Sequence, residues 1–206
     1  GINKSYNTFK AIFFQREYPT VSRFLFAFFL YNDAIITIIA FASIFASNIL
    51  KMTDEQIILF FAIVQTTAVA GSFIFGIISD HIGPKKTITI TLFVWIVVII
   101  GAFFVKSMTE FYVIGFLAGF SIGSSQSCSR SLMALLTPHE REAEFFGFYD
   151  GLFGKSSAVV GPFVYGVVSD LSNERFAALA IGLFFIAGLI ILQRVQVPSF
   201  KKIVRE

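Results

Sequence analysis

Charge is scarce in this 206-residue chain: Asp, Glu, Lys and Arg together supply 14% of it, against 56% hydrophobic residues. That shortage excludes an ordinary water-facing globule, which needs far more polar surface. Cysteine occurs once, at Cys128, so no intrachain disulfide can form and cysteine usage does not indicate a redox compartment. Histidine occurs twice, at His81 and His139, and no metal or cofactor is expected. The net charge of +3 is mild, and the cations sit between apolar runs rather than in one basic face, so nucleic acid is not an expected partner.

What is abundant is apolar length. Phenylalanine alone accounts for 28 residues, and six runs approach the roughly 20 apolar residues that cross a bilayer core. They occupy 22–47, 55–79, 87–105, 111–136, 145–169 and 177–192. Lipid offers no hydrogen-bond partners to a backbone, so each run is expected to be a helix. The expectation is an all-α membrane protein: a cytoplasmic linker at 1–20, a six-helix domain at 21–197 and a cytoplasmic tail at 198–206.

Alternate threading from an inside start sorts the cations. Lys4, Lys10, Arg16, Arg23, Lys85, Lys86, Arg141, Arg194, Lys201, Lys202 and Arg205 fall on one side, and only Lys51, Lys106 and Arg175 on the other. The rich side is cytoplasmic by the positive-inside rule, which puts both termini inside, in a plasma membrane of bacterial type. The lead segment interleaves Lys4, Lys10, Arg16 and Glu17 with Phe9, Ile12, Phe13 and Phe14, a spacing suited to a short helix lying on the membrane surface. With neither an initiator methionine nor a signal peptide, the chain is expected to be part of a longer product.

The chain also repeats itself. The run AVAGSFIFGIISD at 68–80 returns ninety positions later as AVVGPFVYGVVSD at 158–170. Small residues recur every fourth place in both: Ala68, Ser72, Gly76 in one, Ala158, Pro162, Gly166 in the other. Such stripes let membrane helices approach closely, and a repeat of this length points to two related three-helix units, inverted because each has an odd number of helices.

A few polar residues interrupt the apolar runs. Asp33 lies eleven positions into the first run, about 16 Å along a helix, beside Asn32 and Thr37. A charge there costs roughly 2.5 to 3.5 kcal/mol and marks either a pathway or a paired structural acid. Gln65 lies at similar depth in the second run. The fourth is the most polar, with Gly115, Gly119, Gly123, Ser127 and Ser131 on one face and Gln126 and Arg130 on another. Arg130 is read either as a substrate contact or as snorkelling to the interface and pairing with Glu140 or Glu142. Lys155, eleven positions past Glu144, needs an anion; Asp33, Asp150 and a substrate carboxylate are the candidates, and an Asp33–Lys155 pair is the favoured reading. The third run is apolar almost throughout and the sixth resembles it; the third, with Trp95, is expected to face lipid. Gly119-Phe-Ser121-Ile-Gly123 fits a serine-nucleophile pattern, but both histidines fall in loops roughly two helical turns away, so catalysis is not expected and the protein is read as no enzyme.

The first repeat copy continues into Gly76-x-x-x-Asp80-x-x-Gly83-x-Lys85-Lys86, which resembles the gating-loop signature of the major facilitator superfamily, although that family usually has basic residues where His81 and Pro84 stand. Tyr31-Asn32-Asp33, Ser129-Arg130-Ser131-Leu132, the run 141–149 and Gly154-Lys155 resemble the vacuole-effluxer branch. The resemblance covers the C-terminal six-helix half of such transporters. It implies secondary active transport of a small polar solute, amino acids among the candidates, by alternating access against an N-terminal six-helix half or a second copy. Asn32, Asp33, Gln65, Gln126, Arg130 and Lys155 are then substrate or coupling residues, and Gly76, Asp80, Gly83, Lys85 and Lys86 the gating loop. It further implies that the first and fourth helices line the path, the second and fifth abut the other half, and the third and sixth face lipid. The rival from another class is a non-transporting membrane scaffold or sensor.

Overall fold

The computed structural model describes residues 17–197. The amphipathic lead, with Lys4, Lys10 and Arg16, and the tail, with Pro198, Lys201, Lys202 and Arg205, lie outside the described residues. All regular structure among the described residues is helical. It comprises α1 (Pro19–Leu50), α2 (Asp54–Ile82), α3 (Pro84–Phe104), α4 (Met108–Leu136), α5 (Glu142–Phe146), a π-helical stretch (Gly147–Gly154), α6 (Val160–Leu171) and α7 (Glu174–Gln193). Four of these, α1, α2, α3 and α7, are long and apolar enough to cross a membrane. The α4 helix matches them in length, at 29 residues, but carries a long series of glycines and serines.

Local chemistry sets the short connections. Pro19 and Pro84 occupy first helical turns, where a missing N–H goes unnoticed. Gly83, at φ 89°, makes the sharp turn from α2 into α3 that a side chain would strain. Capping boxes start α2 (Thr53 with Gln56) and α4 (Ser107 with Glu110), and Asn173 Oδ1 accepts the Arg175 and Phe176 amides at the start of α7.

The bundle is held by two close pairs, α2 with α4 and α1 with α7, with α3 packed between α4 and α7. Glycine makes the first pair possible. A Cβ at Gly119 would strike the Val64 carbonyl and Thr67 Oγ1, one at Gly123 the backbone of Ala68 and Ser72, and one at Gly71 the backbone of Phe120. The fourfold spacing on α4 is thus a face pressed onto α2. Gly76 departs from the expected stripe: nothing lies within 4 Å of a Cβ built there, because it lies on a side of α2 flanked by exposed Phe73 and Ile77, while the contact with α4 runs on at Phe75, whose carbonyl meets Cys128 Sγ.

Two further expectations are corrected. Trp95 does not face outward; it is fully buried and stacked on Phe185 of α7, centroids 5.0 Å apart at 11°. Its helix is apolar all round, so hydropathy cannot distinguish its packed face from its exposed one, which carries Ile90, Phe93, Val97 and Ile100. The fifth run is not one helix. After α5 and the π-helical stretch the chain passes through turns at 157–159 before α6 begins. Pro162 explains the break, since it has no N–H to give the Ala158 carbonyl and its ring collides with that group in a continuous helix.

The long-range polar contacts of α3 and α7 are reciprocal. Lys85 Nζ, in the first turn of α3, donates to the Gln193 and Val195 carbonyls at the end of α7, at 3.0 and 2.7 Å. Arg175, in the first turn of α7, donates to Phe103 and Val105 carbonyls at the end of α3, at 2.5 and 2.6 Å. The two helices therefore run antiparallel, each cation satisfying carbonyls that the other helix leaves open.

Candidate functional site

Polar side chains gather in two places. The first is an open groove of about 550 Å³ between α2 and α4, lined by Gln65, Ala68, Ser72, Gly123, Gln126 and Arg130 among others. The close glycine contact brings the two helices together, and Gln65, Gln126 and Arg130 stand exposed along the seam. Three of the expected site residues thus share one surface. Arg130 donates to Asp150 Oδ1 at 3.2 Å, not to Glu140 or Glu142. Glu142 engages His139 and Glu144 engages Arg141, leaving the π-helical stretch to bring Asp150 to α4. Both members of the Arg130–Asp150 pair are at least half exposed, so the pair is a surface contact rather than a buried structural lock.

The second place is the break between the π-helical stretch and α6, and α1 clasps it with consecutive side chains. Asn32 Nδ2 donates to Ser157 Oγ at 2.5 Å, before the break, and Gly161 N–H donates to Asp33 Oδ2 at 2.7 Å, after it. Asp33 is fully buried, and its Oδ1 has no hydrogen-bond partner. A Cβ on Gly161 would collide with Thr37 Oγ1 and lie 2.9 Å from Asp33 Oδ1, so only glycine admits the carboxylate. Thr37 returns its own hydroxyl to the Asp33 carbonyl.

This geometry corrects the expected Asp33–Lys155 pair. Lys155 is exposed, and no ion pair joins it to Asp33 among the described residues. Asp33 finds a backbone N–H freed by the helix break instead, and Asp150 is taken by Arg130. Ser157 and Gly161 were not legible as site residues; their signal was the repeat, which places Gly161 opposite Gly71.

Of the expected gating loop, Gly83 forms the turn, Lys85 binds the end of α7, Asp80 and Lys86 are exposed, and Gly76 touches nothing. The serine-nucleophile look-alike sits inside α4, where Ser121 Oγ donates to the Leu117 carbonyl; His81 bonds the Ile77 carbonyl and His139 bonds Glu142.

A helical bundle this apolar, four of whose helices are long and apolar enough to cross a bilayer, defines an integral membrane protein. The family model described as "Vacuole effluxer Atg22 like" matches residues 1–203, and the chain belongs to that family. It is 29% identical over 178 residues to the "Uncharacterized MFS-type transporter YxiO" of Bacillus subtilis, covering 86% of this chain and 41% of that protein. It is 30% identical to "Autophagy-related protein 22" of Candida glabrata (87% of this chain, 35% of the relative) and to its namesake in Kluyveromyces lactis (89% and 39%). The chain therefore spans well under half the length of these relatives.

Proposed function

We propose that the chain is the C-terminal half of a secondary active transporter that moves a small polar solute, amino acids among the candidates, by alternating access. The observation that carries this reading is the groove of Gln65, Gln126 and Arg130, which supplies amides and one cation on an open surface between two helices of 29 residues each. Such groups are costly at membrane depth unless they meet water or a polar solute.

Two inverted three-helix repeats, six spans in all, fit the packing. Lys85 and Arg175 stand ninety positions apart and make the same contact on each other's helices, and Trp95 and Phe185, also ninety apart, stack face to face. Residues related by a two-fold axis in the membrane plane meet each other in this way. On this reading a second six-helix half would stand over the groove, where Gln65, Gln126 and Arg130 are exposed. A partner half is in keeping with the greater length of the relatives. Cation asymmetry supports cytoplasmic termini, and the expected location remains a bacterial-type plasma membrane.

The test is a solute screen on the full-length protein, read as thermal stabilisation and then as uptake into proteoliposomes. Saturable uptake abolished by Arg130→Gln or Gln126→Leu is the expected result. Unaltered uptake in both variants overturns the groove assignment. No uptake of any stabilising solute favours the scaffold or sensor, and uptake by this chain alone favours a homodimer of halves.

A further inference from the structure

We propose that the end of α7 at which α3 begins is a binding site for an anionic phospholipid, its phosphate taken by Arg23, Arg194 and Lys85 and its acyl chains laid along the exposed face of the α3–α7 pair. The two ends of that pair carry the same cap, Lys85 on the Gln193 and Val195 carbonyls at one and Arg175 on the Phe103 and Val105 carbonyls at the other. A cap needs one cation. The Arg175 end adds only Lys106, with Glu110 and Glu174 in the adjoining helix starts. The Lys85 end adds Arg23, Lys86 and Arg194, all exposed, and among the described residues none of these cations, Lys85 included, forms an ion pair with a carboxylate. Asp80 and Glu17, the acids closest to them in sequence, are exposed and joined to none of them.

The repeat sharpens this contrast. Ninety positions from Arg23, Lys86 and Arg194 stand Val113, Phe176 and Phe104, all exposed and all apolar. The scaffold therefore does not require charge at these places, and the surplus calls for an anion that the described residues do not supply.

The cations converge on one short stretch of backbone. Arg23 Nη1 reaches the Arg194 carbonyl at 3.4 Å, a long bond at an exposed place, while Lys85 Nζ takes the carbonyls on either side, of Gln193 at 3.0 Å and Val195 at 2.7 Å. The guanidinium keeps most of its N–H donors and the ammonium keeps one. A phosphate oxygen is a stronger acceptor for them than a neutral carbonyl, and an arginine can hold it through two N–H groups at once.

Helix length sets the depth of this cluster. At 21 and 20 residues, α3 and α7 are each about 30 Å long, which matches the hydrocarbon core of a bilayer and puts their ends at the headgroups. Gln193 Nε2 donates to Thr89 Oγ1 across the pair. Counted at about 100° per residue from those facing positions, Lys86 and Ile90 of α3 and Arg194 and Ile190 of α7 turn to the same side of the antiparallel pair. Phe93 and Ile186 follow them inward, and all four apolar side chains are exposed. Each strip thus runs from a cation to apolar side chains, the order of groups in an anionic phospholipid and not in a free anion, and basic clusters at the ends of membrane helices are suited to such headgroups. The site needs only that α1, α3 and α7 cross a bilayer, and it stands whether or not the chain moves a solute.

The experiment is native mass spectrometry of the full-length protein released from detergent, titrated with phosphatidylglycerol and, separately, with phosphatidylcholine of the same acyl chains. The wild type should take phosphatidylglycerol about tenfold more tightly or better, and Arg23→Gln and Arg194→Gln should each weaken it roughly fivefold, the worth of one basic residue at an anionic surface. The double variant should lose most of the preference, with phosphatidylcholine binding and the lipid-free thermal midpoint unchanged. Arg23→Lys, which keeps the charge, should retain most of the affinity, and Lys106→Gln, at the other end of the pair, should leave it as in the wild type. Excess inorganic phosphate should not displace the lipid. Equal affinity of the wild type for the two lipids, an undiminished preference in the arginine variants, or displacement by inorganic phosphate overturns the site. If the double variant does not accumulate, the single variants carry the same test.

Discussion

The two copies of the ninety-residue repeat differ at one place that decides their structures. In the first, Gly71-Ser72 lies inside α2, an unbroken helix of 29 residues, and Gly71 presses on the backbone of Phe120. In the second, Gly161-Pro162 opens α6, and Gly161 gives its amide to Asp33. A glycine kept for close approach serves a backbone–backbone contact in one copy and a carboxylate in the other. The proline turns one into the other by freeing an amide that a continuous helix would use internally. The same small-residue pattern therefore acquires a buried polar site where a helix break interrupts it.

The largest expected effect comes from forcing the first copy into the pattern of the second. Ser72→Pro places a proline in the middle of α2 with no carboxylate opposite Gly71, only the Phe120 backbone. It should cost about 3 kcal/mol or more, seen as failure to accumulate folded protein or a large fall in thermal midpoint. The reverse change, Pro162→Ser, should be far milder and should raise amide protection across the break. If both substitutions cost the same, the proline is not what distinguishes the copies.

Next in size are the two reciprocal caps. Lys85→Met and Arg175→Met each leave carbonyls of the opposite helix without their cation. Each should destabilise by about 1 to 3 kcal/mol, the range for hydrogen bonds to charged groups, in a denaturation assay of the purified protein. Arg175→Met should be the more costly, because the arginine reaches the Ala102, Phe103 and Val105 carbonyls and also covers the Phe45 ring. Equal and negligible losses would mean that water satisfies both helix ends and that the α3–α7 pair rests on its remaining contacts, among them the Trp95–Phe185 and Phe103–Phe176 rings and the Gln193–Thr89 bond.

How far these features were legible depends on what kind of group carries them. Helix positions were, since apolar length and short polar breaks survive in composition; α1 to α4 and α7 fall where the runs place them. Asp33 stood out by depth alone. Its partner did not, because a backbone N–H leaves no trace in a search for opposite charges, and Lys155 was the nearest side-chain answer. Pro162 was read as one more small residue in a stripe, although its missing N–H mattered more than its size. Trp95 was placed wrongly because a helix this evenly apolar offers no moment to orient it, and Arg130 was set against the loop glutamates because the sequence gives no sign that Asp150 comes to α4 in a π-helical stretch.

The Asp33–Lys155 relation gives a smaller, sharper test. With Lys155 exposed and unpaired to Asp33, a double-mutant cycle of Asp33→Asn and Lys155→Met should be additive within about 0.5 kcal/mol, as for groups that share no contact. Lys155→Met alone should be near neutral in stability. A coupling of several kcal/mol, with the double change milder than Asp33→Asn, would restore the buried pair and remove the contrast between a copy that ends on backbone and one that ends on a carboxylate.

The smallest effects should come from a glycine whose surroundings the two copies share. Gly76 and Gly166 are ninety apart, and nothing lies within 4 Å of a Cβ built on either. Both lie on outward-facing stretches of their helices, flanked by exposed Phe73 and Ile77 in α2 and by Phe163 and Val167 in α6. Within this 206-residue chain, Gly76→Leu and Gly166→Leu should each change stability by no more than about 0.5 to 1 kcal/mol, with gain as possible as loss because leucine favours a helix more than glycine does. The full-length protein is where they should diverge from silence. A bulky side chain on a face that meets a second six-helix half would hold the two halves apart and lower transport while the chain itself stays folded. Uptake measured beside thermal stability separates the outcomes: loss of uptake with stability intact assigns these glycines to the contact between halves, and full uptake in both variants assigns them to lipid.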